Sequence, residues 1–187
     1  MADYEIPSDP RVMLKVPVQS EAYSETIAVN RISDALFRKV LGNVPTSVSI
    51  VTGDDGAGPF GMVVGSLVSI SLSPPLVGLF IDNRSNTLPR LLKCEEVCVN
   101  VLSDEQAQFC KDFSREKERR FQCGGWRQDE GAAPRLSEAL AWIAGRVERS
   151  LVIGDHTLIV IKTRALEENP VCAGSDPLIF FRGGFNA

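Results

Sequence analysis

Residues 58–86, GPFGMVVGSLVSISLSPPLVGLFIDNRSN, restrict what this chain can fold into more than any other stretch. A Gly/Pro turn leads into small and β-branched residues, Pro74-Pro75 breaks the run, and an apolar segment follows over residues 76–81. β-Branched and aromatic residues suit a pleated, half-buried surface, and prolines interrupt a ladder because they have no N–H to donate. The stretch therefore predicts two strands joined by a tight turn, with Gly61, Gly65 and Ser66 leaving room for a flat group against the backbone. It closes on Asp82-Asn83-Arg84-Ser85-Asn86-Thr87, whose hydroxyls, amides and guanidinium suit a phosphate. Two core strands of a barrel with an ordinary polar loop account for the same residues, so this stretch alone leaves both readings open.

The flanking sequence extends the β pattern. Residues 1–30 carry Pro7, Pro10 and Pro17 with little periodicity and read as an extended N-terminal arm ahead of a domain over 31–187. Helical spacing over 32–41, with Ser33 as cap and Gly42 and Pro45 as stops, predicts a helix. Strands are predicted over 48–52 (VSIVT), 97–102 (VCVNVL), 139–148, 151–153, 157–163 (TLIVIKT) and 177–182 (PLIFFR). Short helices are predicted over 87–92 and 104–113, and a loop over 124–134. Asn100 falls mid-strand, where amides are disfavoured, and a solvated face is one of two equal readings of it. The charged run 114–120 reads as a solvated helix end, although Lys117 and Arg120 are within reach of an anionic ligand. Long βαβ crossovers are missing, so a mainly antiparallel barrel is favoured over a doubly wound sheet.

Several function classes are disfavoured. A net charge of −4 over 187 residues speaks against nucleic-acid binding. No apolar run approaches the roughly 20 residues that cross a bilayer, and the acidic start MADYEIPSDP lacks a signal-like apolar region. Five cysteines and a single histidine, without ligand spacing, predict reduced thiols in a cytoplasmic protein and no metal site. There is no G-x-S-x-G elbow, no P-loop and no G-x-G-x-x-G that passes from a strand into a helix. His156 stands at a Gly-Asp corner between two β runs. A lone histidine is more often structural than catalytic, and its neighbour Asp155 would point to the opposite face if both lay on a strand. If this chain is an enzyme, a bound cofactor carries the reaction.

One ordered set of residues goes further. Phe37-Arg38-x-Val40-Leu41-Gly42, Pro45-Thr46, Gly61-Met62, Ser66, Ser69-x-Ser71-Leu72-x-Pro74-Pro75, Asn100-Val101-Leu102, Gly154-Asp155-His156 and Arg182-Gly183-Gly184 together resemble the flavin reductase-like family. The nearer resemblance is to small NAD(P)H:flavin oxidoreductases that serve two-component flavin monooxygenases. It spans roughly residues 33–185. It implies a split β-barrel homodimer, mainly β with a few short helices, that binds FAD or FMN in a groove near the subunit interface. It also implies hydride transfer from NADH or NADPH to the flavin, and delivery of reduced flavin to a monooxygenase partner. By matching positions, Pro59, Phe60, Gly61, Met62, Val63, Gly65 and Ser66 would line the flavin ring, while Phe80, Ser85, Asn86, Thr87 and Lys117 would follow its ribityl chain and phosphate. His156 would be the catalytic residue on the nicotinamide side, and Arg182 and Phe185 would stand near the same cleft. The family's Thr-Ala-Ser-Ser is replaced here by Val63-Val64-Gly65-Ser66, and its Thr by Val68. Each lost hydroxyl removes a hydrogen bond worth about 1 kcal/mol, which leaves FMN against FAD open. The rivals are a flavin-binding split barrel without reductase activity and a cofactor-free barrel serving as an assembly module.

Overall fold

Short β-rich runs punctuated by Gly and Pro become short strands in the computed structural model, which describes residues 32–116, 119–122 and 125–186. The predicted arm over 1–30, and Lys117, lie outside the described residues. The described chain begins with α1 (Asp34–Leu41), then β1 (Thr46–Ser47), β2 (Ser49–Asp54), β3 (Pro59–Val64), β4 (Val68–Leu72) and β5 (Pro75–Asp82). Next come α2 (Leu88–Leu91), β6 (Val97–Val101), a 3-10 turn over Asp104–Gln106, and α3 (Ala107–Arg115). The remainder is β7 (Trp126–Arg127), β8 (Arg135–Leu136), β9 (Ala141–Ile153), β10 (His156–Glu168), β11 (Ile179–Phe181) and β12 (Gly184–Phe185). Among the described residues no helix is long and apolar enough to cross a membrane.

Seven strands form one antiparallel sheet in the order β3-β2-β6-β9-β10-β5-β4, and β1, β11 and β12 form a smaller one. Strands β3 and β4, consecutive in the chain, are the two edges of the large sheet. Flat, those edges would stand about 29 Å apart, six spacings of about 4.8 Å. The chain from Val64 to Val68 spans at most about 14 Å. The sheet must therefore curl until its edges approach. Ser66 completes the approach: its Oγ accepts from the Phe80 N–H at 2.9 Å and donates to the Phe80 carbonyl at 3.1 Å, continuing the β5 ladder beyond the end of β4. The result is a mainly β fold, an antiparallel sheet curled as a barrel wall whose edges β3 and β4 are joined by the three-residue link 65–67.

Strands β2 and β6 are buried on both faces. Ile50 and Cys98 pack with Phe113, Leu136, Trp142 and Leu178 in one core. Val51, Val97 and Val99 pack with Leu79, Ile81, Leu91, Ile159 and Ile161 in the other, inside the barrel. Double burial explains why VSIVT and VCVNV read as continuous β-branched runs rather than alternating ones.

The structure corrects several boundaries. The 58–86 stretch holds three strands, because Gly65-Ser66-Leu67 breaks a run that its β-branched composition makes look continuous. The predicted segments 139–148 and 151–153 are one strand, β9, paired along its length with β10. Asn100 is fully buried rather than on a solvated face. Its Nδ2 donates to the carbonyl of Ile50 at 2.9 Å and to Thr52 Oγ1 at 3.1 Å, and its Oδ1 accepts from the Leu136 N–H at 2.8 Å. The amide is thus satisfied in the core and pins the 126–136 segment to β6.

Candidate active site

Register places the predicted ligand residues. His156 pairs with Asp82 and Ile153, and Leu158 pairs with Phe80 and Leu151. Directly opposed residues share a face, and so do residues two apart on one strand. His156 and Phe80 therefore stand on the same outer face of the β9-β10-β5 sheet, while Thr157, Ile159 and Ile161 point into the barrel. That face is apolar and exposed: Leu151 is 55% accessible, Ile153 48% and Phe80 37%. Ile70 of β4 lies over Gly78 on the same face, where a Cβ would meet its Cδ1 and Leu158 Cδ1.

His156 is set by the hairpin tip. Gly154 and Asp155 form a two-residue turn between Ile153 and His156, and Gly154 takes φ +62°, the left-handed conformation that the first position of a II′ turn requires. Asp155 therefore lies in the turn and not on a strand, and it does reach the ring: His156 Nδ1 is 2.7 Å from Asp155 Oδ1. The expectation that the two would point apart fails for this reason. The imidazole holds the Asp155 carboxyl below the usual carboxylate range. An ionised carboxylate only accepts, so Nδ1–H donates to it and Nε2 is left for a ligand.

Next to the ring runs the 82–87 loop. Arg84 forks onto Asp82, Nη2 to Oδ2 at 2.7 Å and Nε to Oδ1 at 3.1 Å, and with its own backbone N–H holds that carboxyl well below the usual range. The guanidinium is thereby committed within the loop. Ser85 Oγ accepts from the Thr87 N–H at 3.2 Å. The Asn86 amide and the Thr87 hydroxyl make no hydrogen bond among the described residues, so short uncharged donors are available there for a phosphate. This donor set, beside an exposed aromatic ring and an apolar sheet face, fits a flavin.

The turn before β3 is tied to α2, the helix that follows this loop, by a clamp that sequence reading missed. Arg90 of α2 donates from Nη2 and Nε to the two oxygens of Asp55, at 2.6 and 2.9 Å, and from Nη2 to the Gly58 carbonyl at 2.9 Å. Its guanidinium carbon lies 4.3 Å from the centre of the Phe60 ring. Phe60 is thus a core residue beneath a cation, its side chain buried and out of reach of a ligand. The salt bridge lowers the Asp55 pKa to about 2. Gly61 is needed for close approach: a Cβ would come within 2.9 Å of the Val51 carbonyl and 3.0 Å of the Phe113 ring. Arg120 is not free for an anion. It donates to the carbonyls of Gly61 at 2.5 Å and Phe113 at 2.6 Å, and burial lowers its pKa. Pro59, Met62 and Val63 are half-buried along β3, and Gly65 is exposed.

Arg182 and Phe185 stand apart from this group within one chain. Arg182 donates from Nε to Asn43 Oδ1 at 3.0 Å, and Phe185 stacks edge-on with Phe180, their centres 5.7 Å apart. Neither makes a hydrogen bond or ring contact with His156 or the 82–87 loop among the described residues. The buried thiols offer no nucleophile, since desolvation pushes Cys94 and Cys110 up to about 11 and Cys98 to about 12. Among the described residues no group of His, Cys, Asp and Glu is placed to hold a metal ion.

Known proteins resemble this chain in sequence and fold. A flavin reductase of Pseudomonas putida is 37% identical over 150 residues, covering 80% of this chain and 86% of that protein. The reductase component of a 4-hydroxyphenylacetate 3-monooxygenase from Pseudomonas aeruginosa is 30% identical over 155 residues, covering 80% and 89%. The solved structure of a Streptomyces globisporus NADH:FAD oxidoreductase, in complex with NAD and FAD fragments, superposes with a TM-score of 0.76 at 28% identity, covering 87% of this chain and 96% of that one. Residues 41–187 match the family described as "Flavin reductase like domain", and the chain belongs to that family.

Proposed function

We propose that this protein is an NAD(P)H:flavin oxidoreductase that passes hydride from NADH to FAD or FMN and supplies the reduced flavin to a partner monooxygenase. The observation that carries this reading is the common outer face of Phe80 and His156, two register positions apart and bordered by the uncommitted donors of Asn86 and Thr87. Two residues along a strand is about 7 Å, within the span of stacked flavin and nicotinamide rings. When bound, the flavin supplies the hydride acceptor. The chain supplies position: Ser85, Asn86 and Thr87 hold the phosphate, the β3 backbone and Phe80 border the ring, and His156 Nε2 orients the nicotinamide nucleotide. Hydride transfer needs no side-chain proton, so alignment is the main contribution of the histidine.

The reading includes a homodimer. The apolar face beside the site is large for a lone subunit, with Leu151 55%, Ile153 48%, Val68 45% and Ile70 45% accessible. A second copy covering it would bring further groups to a site whose predicted members Arg182 and Phe185 stand apart within one chain. The free thiols Cys94, Cys98, Cys110 and Cys172 support a cytoplasmic setting. A flavin holder without reductase activity has no use for a histidine oriented toward a second ligand, which favours the reductase.

The test is oxidation of NADH and of NADPH by the purified protein with FAD, with FMN and with neither. Rapid oxidation only with added flavin is the expected result. Flavin binding without nicotinamide oxidation would favour the holder, and neither would leave a cofactor-free barrel.

A further inference from the structure

We infer that Asn83 is a positioning residue: its hydrogen bonds to the residues on both sides of His156 lock that ring to the 82–87 loop, so that flavin and nicotinamide nucleotide strengthen one another's binding. This rests on the reductase reading of the site.

The geometry is specific. The Asn83 N–H donates to the Asp155 carbonyl at 3.0 Å, its Nδ2 donates to the Gly154 carbonyl at 3.3 Å, and its Oδ1 accepts from Thr157 Oγ1 at 2.6 Å. One side chain and its own amide thus hold the residues before and after His156. The hairpin tip has little else to fix it, since Gly154 and Asp155 are exposed and the imidazole is 43% accessible. The orientation of the ring depends on the Asp155 carboxylate at Nδ1, and Asp155 and His156 lie between the two residues, Gly154 and Thr157, that the Asn83 side chain holds. A mechanical chain therefore runs from the loop that offers donors to a flavin phosphate, through the Asn83 side chain and the Gly154 and Thr157 that it holds, to the ring that faces the nicotinamide side. Ordering the loop orders the ring, and by linkage the effect is the same in reverse. An asparagine serving only to cap its own loop would bond within residues 82–87; all of these bonds leave it.

The test compares wild type, Asn83→Ala, His156→Ala and the double variant. KM for NADH and kcat are measured at saturating flavin, and flavin affinity by fluorescence quenching with and without saturating NAD+. Wild type is expected to bind flavin more tightly with NAD+ present, and Asn83→Ala to abolish that tightening and to raise KM for NADH about tenfold with a smaller change in kcat. The double variant is expected to be no worse than His156→Ala alone, because Asn83 acts through that ring. Asn83→Asp, which loses the Gly154 bond, and Thr157→Val, which loses the Oδ1 bond, are expected to give intermediate KM values and keep the test open if Asn83→Ala does not fold. Unchanged KM and unchanged flavin–NAD+ coupling, or effects that multiply in the double variant, would overturn the positioning role while leaving the reductase standing. A wild type that oxidises no nicotinamide with either flavin would overturn the reading beneath it and this coupling with it.

Discussion

At the scale of single residues, function and stability separate cleanly. His156 is half-exposed, its ring bonded among the described residues only to Asp155, and it lies outside both cores, so its loss should leave the fold intact. His156→Ala is expected to lower kcat/KM for NADH about tenfold or more while changing flavin affinity less than about threefold, read by steady-state kinetics and flavin titration. Asn100 is the opposite case. Removing its amide strands the Leu136 N–H inside the protein and takes a donor from the Ile50 carbonyl and Thr52 Oγ1. Asn100→Ala is expected to cost about 3 kcal/mol, a Tm lower by about 6–12 °C in thermal unfolding. Neither asparagine announced its partners in the sequence. Asn83 looked like one polar loop residue among several, and Asn100 looked as much like a surface residue as a core one. The groups that decide each role lie 36 to 74 positions away in the chain.

At the scale of elements, the Arg90–Asp55 clamp joins the turn before β3 to α2, just beyond the 82–87 loop. Its pH dependence has a definite sign. The Asp55 pKa falls from 3.8 to about 2 on folding, so the ionised carboxylate favours the folded state. That contribution is whole above the unfolded value and is lost as pH falls through the folded one. The Tm difference between wild type and Asp55→Asn is therefore expected to be constant above about pH 4 and to shrink toward pH 2, as followed by thermal unfolding across that range. The β9–β10 pair contains a second local constraint. The register shifts between Thr163 and Ala165, opposite Gly145, where a Cβ would overlap the Lys162 carbonyl. Gly145→Ala is expected to destabilise by about 2 kcal/mol, because the neighbour is backbone and cannot rotate away.

For the whole molecule, the decisive surface is the apolar outer face of β9, β10, β5 and β4. Single exposed leucines are ordinary, but this face is continuous and carries Phe80 and His156. A charge at its centre should act on assembly and site together. Leu151→Asp is expected to shift the proposed dimer toward monomer in sedimentation equilibrium and to weaken flavin binding at least tenfold, since that dimer would bury an unpaired charge. Full flavin affinity in a monomeric variant would show that one chain completes the site alone.

What the sequence determined by itself is local. β-Branched runs buried on both faces, Gly and Pro breaks, the helical spacing before Gly42 and the donor-rich 82–87 loop are properties of neighbouring residues, and all are legible before folding. The family resemblance added the order of those pieces along the chain. The tertiary structure alone decided which distant pieces meet. It curled the sheet because a three-residue link joins its two edges, and it filled the space beside Gly61 with Phe113. It also put His156 and Phe80 on one face through strand register, and turned Asp155 onto the imidazole through a tight hairpin. Register and closure depend on pairings between strands far apart in sequence, and no local pattern of residues encodes them.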